Sequence, residues 1–105
     1  MSNTILKLLK MQNHDKITPE KLKKYKNLTG KALEIAKKSI AKGKNKQAKE
    51  IIDMVSNYLS DAKYFEARGN LIDAFAALNY AHGWLDSGVR LSVFKVKDNK
   101  LFTIK

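Results

Sequence analysis

A chain of 105 residues with a formal net charge of +11 and no cysteine has no disulfide framework, no zinc–thiolate site and no thiol catalysis, and it is long enough for one domain with a real core. No run approaches the roughly 18 apolar residues of a membrane span, and residues 1–10 lack a signal pattern, so a cytoplasmic protein that does not engage membranes is expected. The charge is lopsided: residues 1–50 hold fourteen Lys against four acids, whereas residues 51–105 hold seven basic residues against six acidic ones.

Residues 1–17 read as an N-terminal extension, either a short amphipathic helix built on Ile5, Leu6, Leu8 and Leu9 or a disordered segment. A helix start follows. Thr18 suits the N-cap, Pro19 the first helical position and Glu20 the positive end of the dipole, while Ile17 can staple to Leu22. The apolar stripe Leu22, Tyr25, Leu28, Ala32, Leu33, Ile35, Ala36 and Ile40 carries this first helix to about Lys42, with Gly43 ending it. Lys24, Lys31, Lys38 and Lys42 line its outward face.

The loop 43–45 is short, so the second helix must return antiparallel, with Asn45 as its N-cap. Its buried set is Ala48, Ile51, Ile52, Val55, Tyr58, Leu59, Ala62 and Phe65. The chain then turns at Arg68, Gly69 and Asn70: glycine accepts the left-handed backbone that ends a helix, and asparagine caps the next one. The third helix, 71–91, is apolar over a wide arc at about 100° per residue. Leu71, Ala74, Phe75, Leu78, Ala81, Leu85 and Val89 form one sector, and Ala77, Tyr80, Trp84 and Leu91 a second beside it. Two neighbours are needed to cover both, so Trp84 is expected to be shielded from solvent.

After Ser92 the pattern changes to strand-like runs at 93–96 and 101–104 around a polar turn, which predicts a β-hairpin. The expected architecture is all-α: an antiparallel up-and-down three-helix bundle over residues 18–92, with the short N-terminal extension and a small C-terminal β-hairpin, residues 93–105, packed on it.

Several residues carry a resemblance. Tyr58-Leu59-Ser60-Asp61-Ala62-Lys63-Tyr64-Phe65, the Gly69 turn, Ala74-Phe75-Ala76-Ala77 and Asn79-Tyr80-Ala81-His82-Gly83-Trp84-Leu85-Asp86-Ser87-Gly88 closely resemble the archaeal domain of unknown function 357 family. The likeness covers about residues 20–94. It implies a compact helical bundle and an archaeal, cytoplasmic origin, and it implies no activity.

The polar residues of the third helix are the remaining signal. Asn79, Gly83, Asp86 and Arg90 fall on one stripe with His82 at its border, and an antiparallel register brings Asp61 level with Asn79. One reading is a groove between helices two and three in which Asp61, Asn79, His82, Asp86 and Arg90 bind a small ligand or form an enzymatic site. The commoner outcome for such charges is a paired network, Arg90 with Glu50 or Asp53 and His82 with Asp86. Two ligands on one helix do not make a zinc site, Ser87 lacks the strand-turn-helix setting of a nucleophile, and the Arg-then-His spacing of helical toxin RNases is missing. No metal, cofactor or catalytic residue is therefore expected. Gly83 and Gly88 each cost a helix about 1 kcal/mol relative to Ala, which predicts close approaches at both.

The leading expectation is a non-enzymatic interaction module whose Lys24, Lys31, Lys38 and Lys42 make weak, salt-dependent and sequence-independent contact with nucleic acid or another polyanion. A homo-oligomeric scaffold is the remaining alternative.

Overall fold

A computed structural model describes residues 16–97 and 100–102. Among them are three helices, α1 (Pro19–Lys37), α2 (Asn45–Ala67) and α3 (Leu71–Arg90). The reading of residues 1–17 falls almost wholly on residues 1–15, outside the described residues. None of the three helices is long and apolar enough to cross a membrane.

Local chemistry sets most of the boundaries. At the start of α1 the extended Thr18 accepts a hydrogen bond from the Lys21 amide at 3.2 Å, with Pro19 just inside the helix. Gly69, at φ +76°, closes α2, and Asn70 opens α3 by accepting from the Asp73 amide at 3.2 Å. The N-cap of α2 is Lys44, which makes no side-chain cap, so Asn45 lies one position inside the helix instead of capping it.

The first helix stops at Lys37, short of the expected Lys42. Its end is closed by Lys38 N–H donating to the Ile35 carbonyl at 3.1 Å, while the Ser39 hydroxyl takes the same carbonyl at 2.7 Å. Residues 39–41 are thereby freed to pair with the chain after α3. The Ala41 amide donates to the Val93 carbonyl at 2.9 Å, the Lys95 amide donates to the Ser39 carbonyl at 2.7 Å, and Ile40 faces Phe94 in an isolated antiparallel bridge.

That pairing corrects the expected β-hairpin. Among the described residues there is no strand: the Val93 carbonyl and the Lys95 amide pair with the α1–α2 connection, and the Val93 and Phe94 amides donate back to the Gly88 carbonyl. A two-stranded hairpin is marginal alone. Here the run 93–96 gains more by covering the bundle: Val93 and Phe94 are buried, and Leu101 and Phe102 join the same core cluster as Leu33, Val55 and Leu85.

A second cluster fills the other end of the bundle, around Leu22, Tyr25, Ala62, Ala74 and Leu78, with Leu28 and Leu59 touching both. The Tyr25 ring lies 4.9 Å from that of Phe75. Burial pushes the Tyr25 phenol above the ordinary tyrosine pKa, because its phenolate would lose water. The three helices make a slab, with principal extents of 41 × 27 × 16 Å.

In this slab α3 meets both other helices, and Gly83 lies inside it with no chain reversal. The expectation for its second sector is overturned. Ala77 is buried, but Tyr80, Trp84 and Leu91 are 63%, 38% and 69% exposed. The cause is geometric: α1 covers the α2–α3 pair from one side only, and among the described residues no third helix lies against a sector on the other side. Of the two glycines, only Gly88 shows the expected close approach, to Phe94 and Ile51; nothing comes within 4 Å of a Cβ built at Gly83.

Candidate functional site

The buried histidine is the most constrained polar group. Both His82 and Thr29 are fully buried. Thr29 Oγ1 lies 3.3 Å from His82 Nδ1, and the Leu101 carbonyl lies 2.6 Å from Nε2. A carbonyl can only accept, so in the neutral ring Nε2 carries the proton and donates it to Leu101, leaving Nδ1 to accept from the Thr29 hydroxyl. The imidazole thus ties three pieces of chain together: α1, α3 and the segment after residue 100. The Phe102 ring sits beside it at 6.5 Å.

Both ring nitrogens of His82 thus reach away from its own helix, and these contacts turn its side of α3 toward α1 and residue 101. Stepping along α3 at about 100° per residue puts Asn79 and Asp86 on that same side. Asp61, by contrast, lies exposed on α2. Its position there is on the side of the Tyr58–Tyr80 contact, whose rings stack at 5.5 Å and 25°. The five candidate residues are thus split between two faces. Asn79 and Asp86 are half-buried, and Arg90 is exposed. Asn79 Oδ1 is enclosed without a hydrogen-bond partner.

Charge pairing follows proximity along and between helices. Lys26 of α1 meets Glu66 of α2 at 2.7 Å, Lys37 meets Glu34 at 3.2 Å, and Lys49 meets Asp53 at 2.7 Å. The hydrogen bond that Lys49 donates to Asp53, reinforced by the carboxylate's charge, holds the Lys49 ammonium above the ordinary lysine range. Asp53 is therefore engaged with Lys49, and among the described residues Arg90 makes no ion pair. No group of three or more His, Asp or Glu side chains that could hold a metal occurs among the described residues.

Lys24 and Lys31 of α1, Lys38 at its C-cap and Lys42 beyond it are all exposed, and none of them enters an ion pair among the described residues. Sequence reasoning missed Thr29 and the Leu101 carbonyl. The signal for Thr29 was present, since it is the one aliphatic hydroxyl among the buried positions of α1, between Tyr25 and Ala32. A buried hydroxyl calls for a partner. No sequence signal marks a backbone carbonyl.

A family model described as protein of unknown function (DUF357) matches residues 24–94. The match takes in all of α2 and α3 and most of α1, and the chain belongs to this family of unknown function. No curated protein and no solved structure matches.

Proposed function

We propose that the protein is a non-enzymatic interaction module that holds polyanions, nucleic acid among them, weakly and without sequence preference through the lysine face of α1. The observation behind this reading is the open row of Lys24, Lys31 and Lys38, extended by Lys42, with no carboxylate of the described residues engaged to it. Seven residues are close to two turns, so the first three charges recur on one side of the helix about every 10 Å. That spacing is close to the screening length at physiological salt, which lets neighbouring charges reinforce one another toward an extended anion. Ammonium groups are point charges without the planar fork that reads base edges, so the contact is indifferent to sequence.

The test is a salt titration of the full chain against a generic duplex and a generic single strand, followed by fluorescence anisotropy. Binding should tighten steeply as salt falls. Replacing Lys24, Lys31 and Lys38 together by Gln should reduce the slope of log K against log salt by up to about 3, near 0.9 per lost duplex phosphate contact. Binding that is absent at low salt, or that ignores salt, overturns the reading.

A further inference from the structure

The side of the α2–α3 pair that faces away from α1 carries a row of uncovered apolar groups. Tyr80, Trp84 and Leu91 of α3 are exposed, and Tyr58 of α2, stacked on Tyr80, is half-buried. The charges on this side also differ from those on the rest of the chain. Stepping around α2 and α3 places Glu50, Asp61, Arg68 and Asp73 along it, with Lys46 at its border and the other lysines elsewhere.

We propose that this face is where a second copy of the chain docks, two α2–α3 pairs meeting face to face as an antiparallel, twofold-symmetric four-helix layer with both α1 helices outside. This rests on the aromatic face and not on the lysine row, so it stands or falls independently of polyanion binding.

Register is the argument for a second copy over another partner. In a twofold contact of antiparallel helices, facing residue numbers sum to a constant. Glu50 and Arg68 are eighteen residues apart, five full turns at 3.6 residues per turn, so they lie on one line along α2 with residue 59 midway. A twofold axis at that level sets Glu50 of each copy against Arg68 of the other. The Tyr58–Tyr80 stack shows that the same level on α3 falls at about residue 80. About that centre Trp84 faces the small Ala76, Asp73 faces Ser87, and on α2 Asp61 faces Asn57. Every carboxylate on the face then meets a cation or a neutral hydrogen-bonding group, and the indole meets a side chain small enough to admit it. The symmetry operation itself supplies the complementarity.

The area also suffices. Two helices about 10 Å apart and on the order of 30 Å long offer roughly 600 Å² per copy, or about 1,200 Å² in all, which reaches the lower range of specific interfaces. The lysine faces of the two copies point away from each other, so the large net charge does not oppose the contact at close range.

Sedimentation velocity on the full chain at physiological ionic strength, at protomer concentrations of about 100 µM, tests this, with Trp84 emission followed on dilution. The expected result is a mass twice that of the chain and an emission that shifts to the red as the dimer dissociates. Glu50→Arg alone and Arg68→Glu alone each place like charges opposite one another and should weaken association by roughly tenfold or more. Mixing the two single variants should restore it, because each then meets its complement in the other. Both sites are on the surface, so circular dichroism should show both variants folded. A wild-type monomer overturns the proposal, whether Trp84 is open to water or covered by something else. So does a dimer that survives both single substitutions, or one that the mixture fails to rescue.

Discussion

Gly88 of α3 and Phe94 of the following segment share one space: a Cβ at position 88 would lie 2.5 Å from Phe94 Cε2 and 3.1 Å from Ile51 Cδ1. The ring is itself buried at 1% exposure, and its backbone is held by the bridge to Ile40, so it has nowhere to retreat. Gly88→Ala should therefore destabilise the protein by about 1–3 kcal/mol despite the better helix propensity of alanine. Gly83→Ala, where a Cβ meets nothing, should instead stabilise it by up to about 1 kcal/mol. Urea unfolding of the two variants side by side checks both signs.

Removing the imidazole at position 82 should be among the most damaging single changes. His82→Ala leaves a cavity and removes the imidazole's contacts with the Leu101 carbonyl and the Thr29 hydroxyl, an expected cost of about 3 kcal/mol. Thr29→Val keeps the shape and removes only the partner of Nδ1, so about 1–2 kcal/mol is expected. Equal losses in the two variants, measured by urea midpoint, would show that the Leu101 contact contributes nothing.

Alkaline pH should loosen the fold through Tyr25. Burial raises its pKa in the folded chain, so the unfolded chain gives up the phenolic proton first, from about pH 10. Above that pH the folded state binds more protons than the unfolded state, and stability falls as pH rises; below it the contribution is fully present. Tyr25→Phe should flatten this decline relative to wild type when urea midpoints are compared from about pH 8 to about pH 11. A decline of the same steepness in both proteins would assign the alkaline loss to other groups.

The helices and their turns were legible because their signals are local. Thr18 with Pro19, and Gly69 with Asn70, each announce a cap through residues within four positions of one another, and the structure places a helix boundary at each. The segment 93–96 was misread because its strand-like alternation is equally satisfied by any neighbour offering backbone groups. The early end of α1 provided one at residues 39–41, which no local pattern in 93–104 could announce. The wide apolar arc of α3 predicted two neighbours and found two, but periodicity does not say on which side a neighbour lies, and Tyr80 and Trp84 were left facing out. For the polar stripe, the helical spacing put His82 at the border without showing what it touches. Its partners were invisible because one is a backbone carbonyl and the other sits 53 residues away.

The clasp between the α1–α2 connection and the segment after α3 also bears on how the chain reaches its native state. The turn at Gly69 joins neighbours in sequence, so α2 and α3 can collapse on each other with little loop entropy to overcome. Thr29 and His82, or Ile40 and Phe94, meet only after a far longer loop closes. The helical pair is thus suited to form the nucleus, with α1 and residues 93–102 arriving late and together. Substitutions at Phe94 or His82 should then act mainly by hastening unfolding, leaving the refolding rate nearly unchanged.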